Sequence, residues 1–169
     1  LKKHFLLDPK VTFLNHGSFG ATPKPVFDEY RRWQRESEKQ PVEFYGRRFE
    51  GLMREARQAL GDYLGTRASN LVYAQNVTIA LNIVARSLDL GEGDEVLSTN
   101  HEYGALDRTW RFLSGERGFT YVSQPVSLDS HEAFVESSWR GVNSRTKIIF
   151  LSHITSPTAT IFPVEEVIK

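Results

Sequence analysis

The chain has 169 residues, 40% of them hydrophobic, and its 21 basic residues balance 21 acidic ones. That size suits one globular domain with its own core. A net charge of zero gives neither the basic footprint of a nucleic-acid binder nor a reason to invoke a membrane surface. Cysteine is absent, which removes disulfides, thiolate metal sites and a cysteine nucleophile, and fits an intracellular, cytoplasmic protein. No apolar run approaches the ~20 residues that span a bilayer, and the apolar part of the first residues is too short for a signal peptide.

The first 22 residues read as irregular, punctuated by Gly17, Gly20 and Pro23. Pro23 and Pro25 then open a helix to about Lys39, where Pro41 ends it. Arg31-Arg32 and Arg47-Arg48 sit among Glu36, Glu38, Glu43 and Glu50, the pattern of a paired or solvated helix face. Phe49, Leu52, Met53, Ala56, Leu60, Tyr63 and Leu64 recur at helical spacing and form one apolar stripe. Segment 71–74 is expected to be a strand, and Leu81, Val84, Ala85 and Leu88 the stripe of the next helix. A turn at 91–94 leads to a strand at 95–98. Leu106, Trp110 and Leu113 mark a helix, and 119–123 another strand. Asp129 with Glu132 resembles an N-cap pair opening a helix to about Trp139. A fourth strand follows at 147–151. The chain starts without methionine and ends at Val167-Ile168-Lys169 in what reads as an unfinished helix, so a fragment is expected.

Strands alternating with helices predict an α/β fold with a mainly parallel, doubly wound sheet, preceded by an N-terminal helical segment. The expected division is 1–66, arm and helices, and 67–169, part of the sheet domain. Ligands of such sheets bind at the carboxyl ends of strands, which singles out loops 75–78, 99–104 and 152–162.

Gln75-Asn76-Val77-Thr78 runs into a helix, where unpaired N–H groups at the positive end of the dipole suit a phosphate. Asn76 or Thr78 serving only as a helix cap is the plain alternative. Neither G-x-G-x-x-G nor a P-loop is present, which disfavours dinucleotides and nucleoside triphosphates. His101 stands at a strand end, where an imidazole stacks on an aromatic ring or moves protons near neutral pH. A loop histidine bonded to backbone is the alternative. His101-Glu102 does not make a zinc motif, because H-E-x-x-H needs histidine where Ala105 stands, and no metal is expected. Segment 152–160 sets five hydroxyls and one imidazole after an apolar strand, a donor set for a polar ring substituent or an ordinary polar turn. Asn15-His16-Gly17-Ser18-Phe19-Gly20 is no G-x-S-x-G nucleophile elbow. Its glycines permit close backbone approach to a ligand, or a tight turn.

Taken in order, 13–21, 75–82, 93–97 with 101–105, and 152–159 resemble the isopenicillin N epimerase-like branch of the class V aminotransferase family, whose wider membership includes cysteine desulfurases. The resemblance runs from about Phe5 to Val167. It implies a fold-type-I enzyme dependent on pyridoxal 5'-phosphate (PLP), acting on an amino acid and generally homodimeric. Position by position, it implies that Asn76, Val77 and Thr78 hold the cofactor phosphate. It further implies that His101 stacks on the pyridine ring and serves proton transfer. Ser156, with Thr155 beside it, meets the ring hydroxyl. Asn15, His16 and Gly17 line the substrate side. Ile79 stands where many relatives have a second threonine, and desulfurases have an asparagine at the Ser156 position. The family's Schiff-base lysine has no counterpart among Lys2, Lys3, Lys10, Lys24, Lys39, Lys147 and Lys169, so these 169 residues alone are not expected to catalyse. Epimerisation, transamination and C–S lysis are all compatible with these motifs. A non-catalytic phosphate-ligand module, or one half of a split enzyme, is the reading from another class.

Overall fold

The computed structural model describes residues 1–17 and 19–169; Ser18, part of the N-terminal motif, lies outside them. The chain forms two compact units, Leu1–Tyr73 and Ala74–Lys169.

In the first unit, helix α1 spans Lys24–Lys39 with Pro25 in its opening turn, where a missing N–H costs nothing. It stops at Gln40, which lies outside the helical region (φ −154°, ψ 80°), because a residue before proline is forced out of that region. Pro41 then begins a new turn, α2 (Pro41–Glu43), followed by a π-helical turn at Phe44–Arg48 and by α3 (Phe49–Leu64). Phe44 is buried beside Trp33, Tyr45 and Phe49, with ring centroids 5.0–6.4 Å away. Arg47 pairs with Glu43 and Arg48 with Glu36, two of the acidic residues singled out in the sequence, whereas Arg32 pairs with Glu29, which was not among them. These exposed pairs contribute little stability. α3 ends where Gly65 turns left-handed (φ 67°), a conformation that favours glycine.

Segment 71–74 is not a strand. Leu71 has extended dihedrals, but Val72 is 91% exposed, and no ladder forms there among the described residues. Apolar and β-branched side chains set extended backbone locally, but a strand also needs a neighbour for its N–H and C=O groups.

The second unit carries α4 (Val77–Ser87), β1 (Glu95–Thr99), α5 (Gly104–Arg117), β2 (Thr120–Gln124), α6 (His131–Trp139), β3 (Thr146–Phe150) and α7 (Val164–Ile168). The sheet is parallel with order β2-β1-β3, so among the described residues it has three strands where four were expected. Central β1 is buried throughout, as a strand covered on both faces must be. Val96 pairs with Tyr121 and Ile148 and faces a core of Ala85, Trp110, Leu113 and Phe119. Phe134, Phe162 and Val167 form a second cluster, with Leu151 against it. The helix at 131 is capped by Ser130, whose Oγ accepts from Ala133 N at 3.1 Å. Asp129 is not the cap: its carboxylate accepts from Ser127 Oγ at 2.9 Å and is turned back into the preceding loop. Among the described residues no helix is long and apolar enough to cross a membrane.

Candidate functional site

Parallel pairing of β1 with β3, with Ser98 opposite Phe150, makes the loops after these strands leave the sheet side by side. The β1 loop carries His101. Its backbone N–H donates to Thr99 Oγ1 at 3.2 Å, and its half-buried ring stands edge-on to Phe162, with centroids 6.1 Å apart. The β3 loop is closed by a bridge between Ile154 and Ile161 and by Thr155 N donating to Thr160 O at 3.0 Å. Thr155 is buried, and its hydroxyl is used inside the loop, 2.7 Å from Thr158 Oγ1 and accepting from Thr160 N at 3.0 Å. Ala159 takes a left-handed conformation (φ 54°) to close the turn. Ser156, at the exposed tip, has no hydrogen-bond partner among the described residues.

The same unit presents the amino end of α4. Asn76 caps it, its Oδ1 accepting from Ile79 N at 2.9 Å. The N–H groups of Val77 and Thr78 precede the first intrahelical bond, made by Ala80 N to Asn76 O, and have no protein partner among the described residues. Asn82 ties this helix to α5, donating to Thr109 Oγ1 at 3.2 Å. In the first turn of α5, the Arg111 guanidinium bonded to Asp107 holds that carboxyl below the usual range.

Asn15, His16 and Gly17 belong to the other unit. His16 Nδ1 accepts from Ala21 N at 3.3 Å, and its ring lies edge-on to Phe13 at 4.7 Å. Among the described residues no three His, Asp or Glu side chains are placed to hold a metal ion.

One residue of this region went unassigned in the sequence reading. Glu102 is 7% exposed. Its Oε1 accepts from Thr99 Oγ1 at 3.1 Å and from Ser152 N at 3.0 Å, and its Oε2 from Ser152 Oγ at 2.5 Å. A carboxylate amid hydroxyl-bearing loops with no nearby cation in the sequence was the available signal.

The family profile described as Aminotransferase class-V matches residues 14–169. The chain belongs to that family. Among class-V relatives, an isopenicillin N epimerase of Amycolatopsis lactamdurans is 37% identical over 162 residues, covering 93% of this chain and 40% of the relative. One from Streptomyces clavuligerus is 31% identical over 164 residues, covering 95% and 41%. The chain thus spans about two-fifths of the length of these relatives. Among solved structures, the cystine C–S lyase C-DES, in complex with its product cysteine persulfide, superimposes with a TM-score of 0.84. It is 21% identical, with 95% of this chain and 43% of that one covered, a likeness of fold. The class-V membership agrees with the α/β architecture and parallel sheet described above.

Proposed function

We propose that this chain supplies the phosphate- and ring-binding region of a PLP-dependent enzyme acting on an amino acid, with epimerase-like chemistry. The observation that carries this reading is the open pair of N–H donors at Val77 and Thr78, presented by a chain of the class-V family. A dianionic phosphate matches such donors at the positive end of a helix dipole. Bound PLP supplies an electron sink that acidifies the bonds at the substrate's α-carbon.

The chain's own residues then divide the work. Val77 and Thr78 hold the phosphate through N–H groups and the Thr78 hydroxyl, while Asn76 fixes the helix end that presents them. His101 would offer its imidazole to the cofactor ring and hold or move a proton there. Ser156, whose hydroxyl is uncommitted, donates to the ring hydroxyl. Thr155 supports that turn from within. Asn15, His16 and Gly17 line the substrate side. The covalent lysine is assigned outside the seven lysines of this chain, so turnover is a property of the full-length protein. We place that protein in the cytoplasm as a homodimer with neither nucleic acid nor membrane as partner, and we take residues 67–169 as the first part of its cofactor-binding domain.

The test is titration of PLP into full-length Thr78→Ala and His101→Ala variants. Loss of a charge-assisted hydrogen bond at Thr78 raises Kd roughly tenfold or more, and loss of His101 lowers turnover. Wild-type affinity and wild-type turnover in both variants would refute the assignment.

A further inference from the structure

The buried carboxylate of Glu102 serves neither the core nor a salt bridge. No cation pairs with it among the described residues, yet three donors converge on it. All three come from the carboxyl ends of the two adjacent strands, and Ser152 lies 50 positions away in sequence. An isolated buried carboxylate is costly, so it is retained only where its donors are fixed toward it.

Each bond has a positional consequence. The Thr99 hydroxyl spends its proton on Glu102 Oε1, which leaves the Thr99 oxygen lone pairs to accept from His101 N. Glu102 therefore sets the orientation of the hydroxyl that pins the His101 backbone. On the other side, Ser152 is held by both backbone N–H and hydroxyl, which anchors the start of the loop that carries Ser156. Phe162, which touches the His101 ring, closes the same loop by donating from its N–H to His153 O at 2.8 Å.

We infer that Glu102 is a positioning residue, a carboxylate clamp that fixes the separation between the His101 loop and the Ser156 loop and so sets how the two address one bound ring. The inference rests on the PLP-binding reading above. It differs from a plain structural role because glutamine keeps the size of the side chain but cannot accept from all three donors: its amide nitrogen must face Ser152 Oγ or Ser152 N.

The experiment uses the full-length protein with PLP and compares wild type, Glu102→Gln and Ser152→Ala. Three readouts are taken: apo-protein thermal midpoint, PLP affinity, and the absorption band of the bound cofactor with its pH profile. Expected for E102Q is a near-native midpoint and nearly unchanged PLP affinity, since the phosphate donors lie on α4. The cofactor band and its pH profile shift, and kcat falls on the order of 10- to 100-fold, as a small misplacement of reacting groups does. S152A shifts the band in the same direction by less, because the Ser152 N–H bond survives. If E102Q does not fold, the S152A shift carries the test alone. An E102Q or S152A protein that folds with wild-type band, pH profile and kcat overturns the inference and leaves the PLP reading intact. A wild-type protein with no PLP-dependent band overturns that reading itself.

Discussion

Asn143 donates its side-chain amide to Glu95 Oε1 at 2.8 Å, joining the start of β1 to the turn before β3 across 48 positions of sequence. Thr146 Oγ1 donates to the same oxygen at 2.8 Å, and Glu95 is 2% exposed. β1 thus has a buried carboxylate at its amino end and another, Glu102, just past its carboxyl end. Both fasten the β1–β3 pair.

Removing a donor from the Glu95 cluster leaves a buried charge under-satisfied. Asn143→Ala is expected to lower the unfolding free energy by about 1–3 kcal/mol, measured by chemical denaturation. A change within about 0.5 kcal/mol, the range of an ordinary surface substitution, would show the bond to be dispensable.

Asn76 separates capping from ligand binding. Asn76→Asp keeps an equally good cap, so thermal stability should hold, whereas Asn76→Ala should lose about 1 kcal/mol. The added charge of the aspartate opposes a phosphate at the same helix end and should weaken PLP binding on the order of tenfold. Equal PLP affinity in Asn76→Asp and wild type would move the phosphate away from α4.

Gly61 sits inside α3, where alanine normally stabilises by about 0.5–1 kcal/mol. Here the chain returns over it, and a Cβ would meet Thr66 O at 2.8 Å and Ala68 N at 3.1 Å, both backbone. Gly61→Ala should therefore destabilise, by about 1–3 kcal/mol. A thermal midpoint above wild type would contradict this packing.

Tyr121 gives a pH signature. Burial first, and then the neighbouring Asp107 carboxylate, push its phenol up to about 12. The folded protein keeps this proton where the unfolded chain, with a phenol near ~10, has lost it. The unfolded state then binds fewer protons, so stability falls as pH rises from ~10 toward the folded value. Tyr121→Phe should flatten that alkaline loss while costing about 1 kcal/mol at neutral pH for the bond to Asp107. An unchanged alkaline profile would assign the loss to another group.

The local pattern of the sequence determined much of this protein. Prolines bounded α1 and helical spacing placed α3 close to their observed limits, and alternation of strands and helices gave a parallel sheet whose central strand is buried. The rule that ligands sit at strand ends pointed to the loops that carry His101 and Ser156. These features depend on near neighbours in the chain, which is why they are legible in it. Tertiary structure decided what depends on distant partners. Segment 71–74 has strand composition but no paired neighbour among the described residues, so it forms no ladder. Locally too the backbone made the choice: of the cap candidates Asn76 and Thr78 it took Asn76, and it set Ser130 rather than Asp129 on the third amide of its helix. Glu102 acquired its meaning only when parallel pairing of β1 and β3 brought Ser152 to it. A hydrogen bond across 50 residues leaves no periodicity in the sequence, since only the folded sheet sets the distance between its ends.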